Sequence, residues 1–329
     1  MSHTAFLTGA TGFLGAELAH QLLDAGWKVT ALVRASSDLS PLEGLPLDLR
    51  TGDLTDAASL RAAMPEQPDA VFHVGASTSI WSREKALQTR INVDGTQNLI
   101  DVAVAAGAQR FIHTSSFVVW GFQSGTLTEA TPWTGTEDEW INYLRTKRVA
   151  ERLIKQAVDD GRLDAVICNP GHILGPGDRY NWSRMIRLVN SGKLPGVPPG
   201  SGAFADVREV ARAHLAAWER GRAGENYLLG GPVLSFLELI GIMGELLNKP
   251  VPAKASPAWQ LTLAARLGAA LAALTGKAPD LTPEGAAMVI RHMHADSSKA
   301  QQELGYRYTP PRQLLEDTCR WMQAQGLLA

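Results

Sequence analysis

Tyr143 and Lys147 lie four residues apart in the stretch NYLRTKRVAE. On a helix that spacing puts both side chains on one face. A free phenol ionises near pH ~10, too high for efficient proton exchange around neutrality. A neighbouring ammonium favours the phenolate and lowers that value, so the pair predicts a tyrosine working as acid or base. It would protonate a carbonyl oxygen as hydride arrives, or deprotonate an alcohol in the reverse direction. The same spacing is common on protein surfaces, so the reading depends on its surroundings. Upstream, FIHTSSFVVWG sets Ser115 and Ser116 at the end of a predicted strand. Doubly wound sheets hold their ligands at such ends, where a hydroxyl can bond the same substrate oxygen as Tyr143.

A second cluster opens the chain. TGATGFLGAEL, residues 8–18, spaces Gly9, Gly12 and Gly15 by threes between an apolar run and a helical stretch. Gly9 permits a tight turn, Gly12 a close backbone approach, and Gly15 packing of helix on strand. The helix end then presents free N–H groups and a partial positive charge to a pyrophosphate. A dinucleotide site follows. An NAD site commonly ends its second strand with a carboxylate, which would repel a 2′-phosphate. Here ALVRASS offers Val33, Arg34, Ser36 and Ser37, with no acid until Asp38. A guanidinium suits a phosphate, so NADP(H) is preferred, with NAD(H) possible.

These groups need a scaffold. AFLT, KVTALV, LDLRTGDL, AVFHVGA and RFIHTSS read as strands alternating with helices such as LGAELAHQLLDAG and ALQTRINVDGTQNLIDVAVAAG. Near-continuous apolar strands separated by helices predict an α/β fold, a Rossmann-type doubly wound parallel sheet. Beyond about residue 169, Gly and Pro become frequent (NPGHILGPGD, GKLPGVPPGSG). We therefore divide the chain into an NADP-binding domain, residues 1–168, and a mainly substrate-binding lobe, residues 169–329. Segments of the latter are expected to return to the main sheet.

The composition, 45% hydrophobic and 19% charged, is that of a globular protein. A net charge of −2 gives no electrostatic reason to expect nucleic acid or an acidic membrane as partner. Cys168 and Cys319 have no paired spacing, so neither disulfide framework nor zinc site is indicated. The start of the chain shows no basic stretch followed by an apolar signal segment. A cytoplasmic location is expected. The eight histidines show no metal-ligand spacing. His73 and His113 fall in strands and are expected to be hydrogen-bonded core residues. His292 and His294 would lie on opposite faces of a helix, at the surface.

In order, TGATGFLG, GDL, NVDGT, TSS, YxxxK and NPG resemble the extended short-chain dehydrogenase/reductase family, part of the NAD-dependent epimerase/dehydratase superfamily. The resemblance covers nearly the whole chain, including the tail HADSSKAQQELGYRYTP. Within the family it points to the branch of dihydroflavonol reductases, 3β-hydroxysteroid dehydrogenases and their bacterial relatives. It implies that Ser116 is the catalytic serine, Tyr143 the acid/base, and Lys147 a further holder of the nicotinamide ribose. Thr11, Phe13 and Leu14 would join the three glycines at the cofactor. Asp53 and Leu54 would meet the adenine, while Val74, Ala76, Pro170, Gly171 and Ile173 would line the channel. Asn92 would brace the site from the central helix. Two departures stand out: Gly75 where relatives often carry Ala, and Trp120 where many carry Tyr.

The resemblance leaves the substrate open. Sugar-nucleotide epimerases and dehydratases of this family usually grip a diphosphate with an Arg just before a VxD motif. In GSGAFADVREVARAHL that position is Gly202, with Arg208 a partial substitute. The expected pocket segments are instead aromatic and apolar: Phe117, Trp120, Trp140, Ile173, Tyr180, Trp182 and Met185. Ser116 would also touch substrate, and His172 would face it or cap its loop. The favoured reading is an oxidoreductase acting on a small apolar, aromatic or alicyclic carbonyl or alcohol; the resemblance also implies that a homodimer is one of the assemblies open to it. The alternatives are a sugar-nucleotide epimerase/dehydratase and a non-catalytic NADP-binding regulator.

One segment stands apart. AWQLTLAARLGAALAAL, residues 258–274, is strongly apolar yet short for a membrane span of ~20 residues. Ser256 and Pro257 suggest an N-cap and first turn. We expect a helix buried under the substrate lobe or in a subunit interface, with a membrane-surface helix as the other reading and no stable membrane insertion.

Overall fold

The structure is a computed structural model that describes residues 2–133 and 139–328. Its strands, in chain order, begin with β1 (Thr4–Thr8), β2 (Lys28–Val33), β3 (Asp48–Thr51), β4 (Ala70–His73), β5 (Arg110–Thr114) and β6 (Thr126–Leu127). They continue with β7 (Ala165–Pro170), β8 (His172–Leu174), β9 (Ser201–Asp206), β10 (Asn226–Leu229), β11 (Val233–Ser235) and β12 (His292–Ala295). Seven form one parallel sheet in the order β10-β7-β5-β4-β1-β2-β3. The strand order reverses between β1 and β4, and a doubly wound sheet opens its binding crevice at such a point.

Why the strands are nearly all apolar is plain from their cover. Every residue of β4 and β7 is buried, because helices pack on both faces. On one face, Leu18 and Leu22 of the helix Phe13–Asp24 meet Ala5 and Leu7 of β1 and Val210 of the helix Val207–Arg220. On the other, Leu99 and Ile100 of the helix Gly95–Ala105 and Ile154 of the helix Asn142–Asp159 pack with Phe6, Val71 and Phe111. Helix starts follow local chemistry. Asp56 accepts hydrogen bonds from the N–H groups of Ala58 and Ser59, and Ser235 with Glu238 forms a reciprocal capping box.

A second sheet runs β11-β9-β12-β6, with β8 also paired to β9. It carries the far wall of the site. Below it, Phe204, Phe236, Leu239, Leu315 and Met322 form a separate core. His292 and His294 sit in β12, not in a helix, so the two-residue spacing puts them on the same side. The Oγ of Ser201 bonds Nδ1 of His292 at 2.9 Å and Nε2 of His294 at 2.8 Å.

The apolar segment forms the helix Ala258–Thr275. Ser256 is not its cap: Pro257 holds that position, and the Ser256 N–H donates to the carbonyl of Val197 at 2.8 Å. Nor is the helix buried under the substrate lobe, since only Ala265 and Ala272 are fully covered by the chain. Among the described residues, no helix is long and apolar enough to cross a membrane.

Candidate active site and cofactor cleft

A cavity of about 690 Å³ lies at the carboxyl ends of β1, β4, β5 and β7. One end is the glycine turn. Gly9 has φ +75°, and the Gly12 N–H donates to its carbonyl at 2.9 Å. A Cβ on Gly15 would stand 2.0 Å from the Gly9 carbonyl oxygen, so no side chain fits there. A Cβ on Gly9 would likewise come within 2.6 Å of the Gly75 nitrogen, which binds this turn to the end of β4. The helix that follows has no side-chain cap and no acid in its first turn, so its N–H groups are open to an anion.

Thr11, Phe13 and Leu14 line this end beside the three glycines. Arg34, Asp53 and Leu54 line the cavity at the ends of β2 and β3, together with Ser37 of the ALVRASS stretch. The Ser37 hydroxyl accepts the Arg34 N–H at 3.1 Å. Val74 and Ala76, then Pro170, Gly171 and Ile173, line the middle. Asn92 does not line it. It sits in a π-helical turn, Arg90–Asp94, where its amide is spent on bracing. Its Oδ1 accepts the Ser77 N–H at 2.7 Å, and its Nδ2 donates to the Ser77 carbonyl at 2.9 Å and Thr146 Oγ1 at 3.1 Å.

Ser116, Tyr143 and Lys147 come together at the other end. The Lys147 ammonium is buried and donates to the Thr114 carbonyl at 2.9 Å. Burial lowers its pKa to about 8, although the Glu151 carboxylate pulls the other way. For Tyr143 the structure corrects the expectation of an acidified phenol. Removal from water raises it above the ordinary 10.0, and the Ser116 side chain offsets part of that rise. Lys147 sits on the Thr114 carbonyl and does not reverse the shift.

Beneath this cluster lies a buried polar network that the sequence reading missed. Glu151, fully buried, accepts the Ser115 hydroxyl at 2.6 Å, Asn169 Nδ2 at 2.9 Å and Asn226 Nδ2 at 2.7 Å. It lies four residues beyond Lys147, so helical spacing could have marked it. His73 bonds Thr8 Oγ1 and Thr96 Oγ1, both at 2.9 Å. His113 departs from expectation: it is buried, yet neither ring nitrogen has a hydrogen-bond partner.

At the substrate end, His172 and Trp182 line the cavity. His172 stacks on Phe204 with ring centres 5.3 Å apart, and Phe117 meets its edge at 5.5 Å. Phe117 is therefore behind the wall rather than on it. Trp120 is also absent from the lining; its indole N–H donates to the Thr131 carbonyl at 2.9 Å within a buried cluster. Tyr180 and Trp140 point to solvent, 80% and 48% exposed, and Met185 packs into the lower core.

The His172 ring can sit where it does because residue 202 is glycine. A Cβ there would lie 2.3 Å from His172 Cδ2. Arg208 does not substitute for a cation at this wall: its guanidinium is held by Asp206 at 2.6 Å and Asp317 at 2.9 Å. Among the described residues, no group of three or more His, Cys, Asp or Glu side chains could hold a metal ion.

Comparison with known proteins agrees with this geometry. The model of the "NAD dependent epimerase/dehydratase family" matches residues 5–230. A protein of Synechocystis sp. named "Putative dihydroflavonol 4-reductase" is 33% identical, over 99% of this chain and 96% of its own. "Sterol demethylase protein B" of Methylococcus capsulatus is also 33% identical, over 99% of this chain and 100% of its own. Among solved structures, the dTDP-glucose 4,6-dehydratase of Streptomyces venezuelae with NAD bound superposes with a TM-score of 0.75. It is 25% identical, covering 99% of this chain and 98% of that one.

Proposed function

This chain is an enzyme of the NAD-dependent epimerase/dehydratase family, and we propose that within it the protein is an NADP(H)-dependent oxidoreductase. Its substrate class is a small aromatic or alicyclic ketone or aldehyde, or the corresponding alcohol. The observation that carries this choice over sugar-nucleotide chemistry is the Gly202–His172 contact. The wall holds an uncharged ring where a diphosphate would need a cation. Burial lowers the His172 pKa to about 4, so the imidazole is neutral at physiological pH. Trp182, which also lines the cavity, meets its edge with ring centres 5.4 Å apart, and the buried rings of Phe204 and Phe236 back the pair from the lower core, so the wall is aromatic and suits a flat ring. The name of the Synechocystis relative supports the reductase reading.

The residues present fit a dinucleotide. The side-chain-free turn Gly9–Gly15 and the uncapped helix end would hold the diphosphate, and Arg34 with Ser37 a 2′-phosphate. Lys147 would hold the ribose next to the reacting ring. When bound, the dinucleotide supplies or accepts the hydride. The remaining work falls to this chain. The Tyr143 phenol gives its proton to the carbonyl oxygen, and Ser116 donates a hydrogen bond to the same atom. A phenol held above its ordinary pKa is fully protonated at neutrality, which suits the direction of reduction. Cys168 and Cys319 are buried and free, which suits a reducing compartment such as the cytoplasm.

The test is Tyr143→Phe. It should abolish turnover while NADPH still binds with near wild-type affinity by fluorescence. Retained turnover would remove the proton-transfer role. Assays with NADPH and NADH against aromatic and alicyclic carbonyls and UDP-sugars test the substrate class; activity on UDP-sugars alone would replace the reading with the epimerase one.

A further inference from the structure

The helix Ala258–Thr275 is apolar on the side it turns away from the protein. Trp259, Leu263, Leu267, Leu271 and Leu274 are 64%, 50%, 63%, 61% and 87% exposed. Their spacing of 4, 4, 4 and 3 confines them to about a third of the helix circumference at 100° per residue. Ala265 and Ala272, the residues the chain covers, lie on the opposite side. A contiguous exposed apolar stripe on an otherwise ordinary surface marks an interaction face.

The stripe has its own charge setting. Residues 246–279 contain Lys249, Lys254, Arg266 and Lys277 and not one Asp or Glu, although the whole chain carries −2. Lys254, Arg266 and Lys277 are all exposed. A tryptophan and leucines on one face, with basic residues around them, is the pattern of a helix lying in a bilayer interface. Lying, not spanning, is the geometry allowed: the helix has 18 residues and does not reach the apolar length a crossing needs. The surrounding fold holds it in place. Arg83 donates to the Ala273 carbonyl at 3.0 Å, and Asp280, just past the helix, pairs with Arg184 at 2.6 Å.

We propose that this face docks the enzyme on the surface of an anionic lipid bilayer, with the leucine stripe in the interface and the lysines and arginine over the headgroups. The inference does not rest on the substrate reading. It is tested by co-sedimentation of the full chain with vesicles of phosphatidylcholine alone and of phosphatidylcholine with 30–40% phosphatidylglycerol. Binding should favour the anionic vesicles and weaken with salt. The double variant Leu267→Gln/Leu271→Gln should lower partitioning at least tenfold, and Arg266→Glu/Lys277→Glu should remove the preference for anionic lipid. Both variants should keep wild-type NADPH binding and thermal midpoint, since the changed side chains are exposed. No binding to either vesicle, or binding that the leucine variant leaves unchanged, would overturn the proposal. So would a wild-type dimer in light scattering that the leucine variant converts to monomer, which would assign the face to a second copy of this chain.

Discussion

Ser115 donates its hydroxyl to Oε2 of Glu151 at 2.6 Å, one helical turn below Lys147. The carboxylate is fully buried and raises the Lys147 pKa against the burial that lowers it to about 8. Above that pH the lysine loses its charge. We expect kcat/KM for reduction to be level below pH 8 and to fall as pH rises through it. Glu151→Gln removes the negative charge, so the lysine should lose its proton at lower pH and the falling limb should move toward acid. A pH–rate profile reads this directly. An unshifted limb would leave Glu151 a purely structural acceptor.

Buried neutral histidines give a second pH effect, this time on stability. Burial lowers His73 to about 3 and His214 to about 4, and lowers His113 well below 6.5. As pH falls below 6.5 the unfolded chain takes up protons that the folded one refuses. Their stabilising contribution is therefore intact above 6.5 and declines from there toward pH 4. The slope is about 1.4 kcal/mol per pH unit for each histidine. Urea midpoints at pH 7, 6 and 5 should fall accordingly. His113→Leu should flatten the decline, because it removes one such group and a pair of unpartnered ring nitrogens. A midpoint constant over that range would contradict the assignment.

The Gly202 contact predicts that size, not polarity, limits this position. Gly202→Ala would force the His172 ring from its stack on Phe204, at about 1–3 kcal/mol of stability for an overpacked site. Activity on aromatic carbonyls should drop at least tenfold, mainly through KM, because the displaced ring intrudes on the substrate wall. Steady-state kinetics alongside thermal melts would separate the two effects. Unchanged KM would place the substrate elsewhere in the cavity.

The sheet was legible because its signals are local: apolar strands, a glycine-opened turn and regular alternation with helices. The chemistry-bearing cluster was legible for the same reason, Tyr143 and Lys147 being neighbours on one helix. What sequence did not reveal depends on distant contacts. Nothing local marks Trp120 as core, since its indole partner is Thr131 in a later loop. The tie of Arg208 to Asp317 spans more than a hundred residues. The relative facing of His292 and His294 was misjudged because two-residue spacing means opposite faces in a helix and one face in a strand, while His292 is exposed as expected. Ser256 was misjudged as a cap because the extended Pro257, ψ 140°, delays the helix by one residue and itself takes the cap position.

Arg34 supplies the final expectation. It lines the cavity at the end of β2, where its charge helps to lower the pKa of the Asp53 carboxyl. The nearby Asp53 carboxylate is already engaged, its Oδ1 accepting the Thr55 N–H and hydroxyl, both at 2.8 Å. A guanidinium beside Ser37 at the cavity edge is placed to meet a phosphate, and a charged hydrogen bond of that kind contributes about 1.5–3 kcal/mol. Arg34→Ala should therefore weaken NADPH binding roughly 10- to 150-fold, as that energy range implies. NADH, which lacks the 2′-phosphate, should bind as before. Titration calorimetry with each nucleotide decides it: an equal loss for both would mean that Arg34 shapes the adenosine pocket without reading the phosphate.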